Sequence, residues 1–285
     1  MIELTNPIIL GILASFTVFL GAITLPMLAK RLGKRGIGAL QALSGGILAY
    51  LALEVGESVS EYIEELATLS TIREFLIASL LTTVVLFATW AALSYSERWG
   101  GLDTLVRLTL LGSHTGLSGT SNTLLYLAGR TSLIVAIGLG LHNIGEGFAI
   151  AAALLKGSIA SAIIFTVGFA VHNYTEGFAI TGPLAGESKK VSHIPLKFLL
   201  LISAIAALPT LIGASAYYVA PPNELVLALL STMAEASLVY ALIRVNLSAL
   251  GRLGGPSSLT FWFSLGAGVA LTYTMEAVVL LSIAS

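Results

Sequence analysis

The chain alternates between long apolar stretches and short polar connections. A helix needs roughly 20 apolar residues to cross a bilayer, and eight stretches reach that length. They lie at residues 7–29, 37–57, 73–95, 132–155, 158–183, 196–219, 224–244 and 259–283. The pattern predicts an all-α polytopic membrane protein with eight transmembrane helices, in a single transmembrane domain over residues 1–285.

Composition agrees with a place in the membrane. Of the 285 residues, 56% are apolar and 10% are charged, and the mean hydropathy is +0.94. These values exclude an ordinary soluble domain. The net charge of −1 gives no general attraction to nucleic acid. The lack of cysteine excludes disulfides and thiolate metal sites.

Basic residues are distributed unevenly among the connections. With the N-terminus outside, the inner connections hold Lys30, Arg31, Lys34, Arg35, Arg98, Arg107, Arg130, Lys189, Lys190, Lys197, Arg244 and Arg252, and the outer ones hold Arg73 and Lys156. Because cytoplasmic loops are enriched in Lys and Arg, both termini are predicted to be extracellular, in the plasma membrane. The first stretch runs into a basic segment, so we interpret it as a mature helix and not a cleaved signal.

The longest inner connection is predicted at residues 96–130, as a flexible loop with an amphipathic start at 102–111. It divides the stretches into three, a hairpin of two, and three. A 3+2+3 arrangement of this kind suggests inverted repeats around a binding site at mid-membrane.

One polar motif occurs twice, in the fourth and fifth stretches. Residues 142–150 read HNIGEGFAI and residues 172–180 read HNYTEGFAI. In a helix, His and the Glu four positions later share a face with the intervening Asn. The candidate site residues are therefore His142, Asn143, Glu146, His172, Asn173 and Glu176.

The position of the turn between the two motifs predicts how they meet. Lys156-Gly157-Ser158 is the polar break, and His142 and His172 lie equally far from Gly157. In an antiparallel hairpin both histidines would lie about 22 Å below the turn, level with each other. Gly147 and Gly177 are expected to let the two hairpin helices approach closely.

Carboxylates in the middle of membrane helices require an explanation, since a charge there costs about 2.5–3.5 kcal/mol on insertion scales. For Glu146 and Glu176 a bound cation is one explanation, and a structural network of His, Asn and Glu is the alternative. Two imidazoles and two carboxylates suit Zn²⁺, Fe²⁺, Mn²⁺ or Co²⁺, whereas Mg²⁺ or Ca²⁺ would favour oxygen ligands alone.

Other ionisable residues leave alternatives open. Glu235 and Glu276 are either protonated and hydrogen-bonded or part of an ion path. Glu54 and Glu57 form either an electrostatic mouth for cations or a solvated helix end. For the loop histidines His114 and His193 we expect no role, and a weak cytoplasmic metal contact is the alternative.

The paired motifs, the eight stretches, the external termini and the long third inner connection together resemble the ZIP family of divalent-metal transporters, nearest to its prokaryotic branch. The second stretch also fits, with Ser44-Gly45-Gly46-Ile47-Leu48-Ala49 followed by Glu54 and Glu57. The resemblance implies a carrier that moves a divalent transition metal into the cytoplasm. Zn²⁺ is the foremost cargo, with Fe²⁺, Mn²⁺, Co²⁺ and Cd²⁺ as alternatives.

The resemblance also implies a ligand set. One metal position would be made by His142, Glu146, His172 and Glu176, and an adjoining one by Asn143 and Asn173 with both glutamates shared. Many relatives have Glu before a proline in the sixth helix, where this chain has Leu208-Pro209. The missing carboxylate favours a mainly mononuclear site.

Two other classes use similar ligands. A membrane metalloenzyme would need a further base, and the order His-Asn-x-x-Glu lacks the adjacent His-Glu pair of zinc proteases, so we expect no enzyme. A metal sensor that binds without moving ions is the other alternative. No phosphate-binding Gly-Lys loop is present, which argues against ATP drive. The expected partners are the metal and the lipid bilayer, and a homodimer is compatible with the pattern.

Overall fold

A computed structural model of the chain describes residues 5–29, 31–96, 101–111, 119–185, 194–219 and 223–284. The regular structure in these ranges is helical. The helices are α1 Pro7–Ala29, α2 Lys34–Leu69, α3 Ile72–Ser96, α4 Gly101–Val106, α5 Gly119–Leu155, α6 Ile159–Ala185, α7 Leu196–Ala207, α8 Pro209–Val219, α9 Glu224–Leu253 and α10 Leu259–Ala284, and a π-helical turn, Arg107–Leu111, follows α4.

Six helical segments in the described residues are long and apolar enough to cross a membrane, judged by length and composition. They are Pro7–Ala29, Lys34–Leu69, Ile72–Ser96, Leu125–Leu155, Leu196–Val219 and Glu224–Leu253. Large apolar side chains such as Leu80 and Phe87 are exposed on α3, as expected for a surface that faces lipid. The chain is thus a multi-pass membrane protein. Because α6 and α10 are not among the six, the eight-span arrangement stays a prediction.

The second helix is longer than its apolar stretch. It was expected to end near residue 57, but α2 continues to Leu69 and includes Glu61, Glu64 and Glu65, which lie beyond the apolar stretch. Residues 58–69 contain neither Gly nor Pro, so nothing in this polar segment interrupts the helix. The next helix begins with a capping box, in which the Thr71 hydroxyl accepts from the Glu74 N–H and the Glu74 carboxylate accepts from the Thr71 N–H.

Two other expectations about the elements are corrected. The predicted single helix at 196–219 is interrupted at Leu208, because Pro209 has no N–H to donate to the carbonyl one turn earlier. In the predicted flexible loop at 96–130, the expected amphipathic start is helical at residues 101–111, but residues 119–130 are helical too and belong to α5. Residues 112–118 of this loop lie outside the described residues.

The helices pack in two groups. The hairpin of α5 and α6 lies with α1 against α6 and with α7 and α8 against α5. The second group consists of α2, α3, α9 and α10, in which α2 packs on α9 and α10, and α9 packs on α3. The groups meet mainly where α9 contacts α5 and where α2 contacts α6. The hairpin is therefore the element that both groups share.

Glycines set the closest helix contacts, but not the contact that the sequence suggested. A Cβ atom at Gly177 would overlap the backbone of α1 at Val18 and Ala22. A Cβ atom at Gly147 would overlap the Thr210 carbonyl on α8. The prediction that these glycines bring the two hairpin helices together is wrong, because each one brings a hairpin helix against its outer neighbour. Their partners are Gly21 on α1 and Gly213 on α8.

Candidate metal centre

The two copies of the motif meet in the middle of the hairpin. The imidazole rings of His142 and His172 are 5.9 Å apart between centroids, which confirms that the histidines lie level. The turn between them has the predicted position, with Gly157 at a φ of +76°. Glycine adopts a positive φ without steric cost, so Gly157 fixes the position of the turn. Because both histidines are the same number of residues from this turn, they lie at the same level in the hairpin.

Four side chains bring potential ligand atoms together. One nitrogen or carboxylate oxygen each from His142, Glu146, His172 and Glu176 lies within 4.8 Å of all the others. Glu176 Oε1 is 3.6 Å from His172 Nε2 and 3.9 Å from His142 Nε2. These separations are too long for good hydrogen bonds, so the nitrogens and oxygens surround a gap instead of bonding one another.

The cluster is almost entirely removed from solvent. The Glu176 residue is fully buried and Glu146 is 4% exposed, while the side chains of His142 and His172 are 11% and 12% exposed. Two carboxylates in such a place are costly unless a positive charge or hydrogen bonds compensate them. The cluster therefore has the composition and the burial of a possible metal site.

Each asparagine of the motif reaches across the hairpin to the glutamate of the other copy. The Asn143 amide donates to Glu176 Oε2 over 3.0 Å, and the Asn173 amide donates to Glu146 Oε2 over 2.9 Å. The same amide nitrogens also donate to backbone carbonyls outside the hairpin. Asn143 bonds the Ala206 carbonyl of α7, and Asn173 bonds the Ala14 carbonyl of α1, each over 3.1 Å.

These contacts repeat with the same spacing on both sides. Ala14 on α1 is seven positions before Gly21, which packs on Gly177. Ala206 on α7 is likewise seven positions before Gly213, which packs on Gly147. Exchanging α5 for α6 and α1 for the α7–α8 pair thus maps one set of contacts onto the other. The candidate metal site lies between these two related sets of contacts.

Several polar atoms at the site are buried without a hydrogen-bond partner among the described residues. They are Glu146 Oε1, Glu176 Oε1, His172 Nε2, Asn143 Oδ1 and Asn173 Oδ1. Buried polar atoms nearly always have partners, so a cluster of unpaired acceptors indicates that something else occupies the site in the working protein. A cation satisfies carboxylate and imidazole acceptors together. Whether the asparagine oxygens also bind it stays a prediction.

A cavity of about 370 Å³ leads away from the cluster. It lies toward the end of the molecule that holds the α5–α6 turn, which we call the turn side. Its walls include Glu54 of α2, His142 and Glu146 of α5, Phe169 of α6 and Ser231 of α9. The cavity gives His142 and Glu146 a way to exchange a ligand with solvent.

The cavity adjoins a second one of about 290 Å³ that lies nearer the turn-side surface. The two share Ser58, Leu227 and Ser231 as lining residues. The outer one carries the carboxylates of Glu61, Glu65 and Glu224. We call this outer cavity the acidic vestibule. Carboxylates concentrated in a cleft raise the local concentration of cations, and Glu54 lines the inner cavity next to the cluster.

Of the remaining acidic candidates, Glu54 and Glu276 lie next to the cluster, whereas Glu235 contacts α2. Glu54 and Glu276 both line a small cavity of about 60 Å³ that reaches His142, Glu146 and His172. Glu276 also accepts a hydrogen bond from the Tyr50 hydroxyl, a partner that the sequence analysis did not single out. By contrast, the Glu235 carboxylate lies against Gly56 of α2.

Sequence reasoning missed some participants and could not have found others. Phe169 and Ser231 line the cavity but carry no motif. The carbonyls of Ala14 and Ala206 have no side-chain signal at all. Glu57 is exposed at the helix surface, and His114 and His193 lie outside the described residues.

Comparison with known proteins adds no family. No protein-family model matches the chain, and no curated protein matches it. The geometry alone therefore identifies a possible buried metal site, formed by His142, Glu146, His172 and Glu176, in a helical membrane protein.

Proposed function

We propose that the protein transports a divalent transition metal ion across a membrane, with Zn²⁺ as the foremost cargo. One observation carries the proposal. The buried His142, Glu146, His172 and Glu176 cluster lies at the inner end of a cavity that continues into the acidic vestibule. A structural metal ion needs no path to solvent, whereas a cargo site has to exchange its ion with solvent.

The packing pattern supports a carrier in particular. Exchanging α1 with α7–α8, α2 with α9, α3 with α10 and α5 with α6 maps each of the main helix contacts onto itself or onto another main contact. Such an exchange is what the predicted 3+2+3 arrangement of inverted repeats requires, and transporters of that design hold their cargo at the repeat interface. Relative movement of the two helix groups about the cluster would open the site to either side.

The resemblance to the ZIP family supports the same function. It rests on the duplicated His-Asn-x-x-Glu-Gly motif, and we infer a divergent, prokaryotic-type carrier of that kind. The distribution of Lys and Arg supports an orientation with the turn side outside the cell, in which cargo would enter through the acidic vestibule and leave toward the cytoplasm. Leu208 before Pro209 leaves the sixth predicted span without a carboxylate, which favours one metal ion over two.

The donor set supports a transition metal. Imidazole nitrogens suit Zn²⁺, Fe²⁺, Mn²⁺ and Co²⁺, and affinity in such sites rises from Mn²⁺ through Fe²⁺ to Zn²⁺. Metal binding requires neutral imidazole, so a cargo held by His142 and His172 is released when a ligand is protonated or a helix shifts. No thiolate is available to make the site irreversible.

Transport is favoured over catalysis and over sensing. Both carboxylates at the centre of the cluster are themselves prospective ligands, which leaves neither of them as a base for an enzyme. A sensor needs no acidic approach such as that formed by Glu54, Glu61, Glu65 and Glu224.

The test is uptake of Zn²⁺ into proteoliposomes, with Fe²⁺, Mn²⁺ and Cd²⁺ as competitors. We expect saturable uptake by the wild type and no uptake by His142→Ala. The order in which the other ions compete identifies the preferred cargo. The matched control is Gln41→Leu, which removes a buried polar side chain that bonds Gly182 away from the cluster. Metal binding without uptake by the wild type would instead favour a metal sensor or a metalloenzyme.

A further inference from the structure

The asparagines of the duplicated motif hold one oxygen of each site carboxylate. Asn143 bonds Glu176 through Oε2, and Asn173 bonds Glu146 through Oε2. In both glutamates the other oxygen, Oε1, is the buried one without a partner. Glu176 Oε1 is also the oxygen that faces the nitrogens of both histidines. Each carboxylate thus offers one free oxygen to the gap.

The asparagines themselves are fixed in place. Each amide nitrogen donates to a glutamate and to a backbone carbonyl, that of Ala206 for Asn143 and that of Ala14 for Asn173. Because an NH₂ group has two hydrogens, both donors of each amide are in use. Both asparagines are fully buried, so solvent does not compete for these bonds. The carboxylates are therefore held by groups anchored on α1 and α7.

We propose that Asn143 and Asn173 are positioning residues that restrict Glu146 and Glu176 to one oxygen each, and so select a four-coordinate metal ion. The inference rests on the proposed function, because it concerns the same cargo site. Two imidazole nitrogens and two single carboxylate oxygens make four ligands, the number that Zn²⁺ and Co²⁺ accept in tetrahedral sites. Ca²⁺ takes six to eight oxygen ligands and often uses bidentate carboxylates, which the asparagine bonds disfavour, and Mg²⁺ needs an octahedral set of oxygen ligands that two imidazoles do not supply.

This role differs from direct ligation by asparagine. If the amide oxygens of Asn143 and Asn173 were ligands of a second ion, each chain would bind two metal ions. If the asparagines act through the carboxylates, one ion binds per chain, and removing the amides changes its coordination but not the stoichiometry. Groups that hydrogen-bond to ligating carboxylates typically change metal affinity by about 10–100-fold when they are removed.

The experiment is a titration of the purified, detergent-solubilised full chain with Co²⁺, followed by competition with Zn²⁺ and Mn²⁺. The wild type is expected to bind one Co²⁺ with the intense visible bands of a tetrahedral ion. The double variant Asn143→Leu/Asn173→Leu keeps the side-chain volume and removes both amides. We expect its Co²⁺ spectrum to weaken toward that of five or six ligands, and its preference for Zn²⁺ over Mn²⁺ to fall about 10–100-fold.

The matched control is again Gln41→Leu, which removes a fully buried amide that bonds Gly182 and Ser248 but not the cluster. It is expected to leave the spectrum and the Zn²⁺ preference unchanged. X-ray absorption on the Zn²⁺-loaded wild type gives a result that does not depend on a variant folding. Four nitrogen or oxygen ligands at about 2.0–2.1 Å are expected there.

Three results would overturn the inference while leaving a metal site in place. They are an unchanged tetrahedral spectrum in the asparagine double variant, two Co²⁺ per chain of which one depends on the asparagines, and five or six ligands around Zn²⁺ in the wild type. Failure of the proposed function looks different. It would appear as no Co²⁺ binding by the wild type, which removes the inference too, or as one tetrahedral ion bound without any Zn²⁺ uptake.

Discussion

Asn143 on α5 and Glu176 on α6 are joined across the hairpin by a hydrogen bond of 3.0 Å from Nδ2 to Oε2. The counterpart, from Asn173 to Glu146, runs in the opposite direction over 2.9 Å. Each copy of the motif therefore completes the other, and neither helix holds a full site alone. Changes to one copy are expected to affect the whole cluster.

Replacing Glu176 by Gln tests that dependence. The amide keeps the shape of the side chain but removes the charge beside His142 and His172. Zn²⁺ affinity, measured against a chelating dye, is expected to fall by more than roughly 100-fold, beyond the range typical of residues that only support a ligand. The matched control is Glu235→Gln on α9, where the carboxylate lies against Gly56. Equal losses in the two variants would contradict the assignment.

Metal binding is expected to stabilise the folded protein. The four ligands come from two helices, so an ion bound among them favours the packed hairpin over the unfolded chain. At a free Zn²⁺ concentration of 100 times Kd the added stability is about 2.7 kcal/mol. The measurement is the thermal midpoint in detergent with and without Zn²⁺. In a Glu146→Ala variant the shift should disappear, and a shift of the same size there would place the metal elsewhere.

The glycine contacts predict a pair of opposite effects on one helix. Gly147→Ala places a methyl group against the Thr210 carbonyl, and the overpacking is expected to cost at least about 1–3 kcal/mol of unfolding free energy. Gly145, two positions earlier, has open space where its Cβ would lie. Gly145→Ala is expected to stabilise α5 by about 0.5–1 kcal/mol, since alanine favours a helix interior. Thermal melts of both variants provide the measurement, and equal destabilisation would argue against the close contact of α5 with α8.

The acidic vestibule predicts a salt-dependent rate of cargo entry. Neutralising Glu61, Glu65 and Glu224 together as Gln is expected to lower Zn²⁺ uptake at subsaturating concentration by roughly tenfold at low ionic strength. The deficit should shrink at 0.15 M salt, where the screening length is about 8 Å. Glu64→Gln is the control, because that exposed side chain lies on α2 outside the lining of the vestibule. If the loss of uptake did not depend on salt, the three residues would support the structure of the protein and not attract the cation.

The sequence predicted the parts of the fold that depend on a pattern along one chain segment. Helix α1 occupies the predicted residues 7–29, and the meeting of His142 with His172 followed from their equal distances to Gly157. Polar interruptions such as Lys156-Gly157-Ser158 are strong signals inside apolar sequence, because few other features break it.

What the sequence could not predict depends on how helices rotate against one another. A helix that is apolar all round has no face that the pattern can assign, so Gly147 and Gly177 were expected to face each other when they face α8 and α1. The asparagine bonds to Ala14 and Ala206 involve backbone carbonyls, which every residue has. The continuation of α2 to Leu69 has no hydrophobic signal, because its last residues are largely polar and lie beyond the apolar stretch.

The matching contacts on the two sides of the hairpin have a thermodynamic consequence. Gly21 meets Gly177 as Gly213 meets Gly147, so the halves that would exchange places during a transport cycle are built alike. Because the two halves have similar packing, the packing alone favours neither the state open to one side of the membrane nor the state open to the other. The direction of net flow is then set by the electrochemical gradients of the ions, and the few features that the halves do not share change only the rates and the populations of the two open states. The vestibule carboxylates at the turn side and Leu208 in the interrupted helix are two of these differences.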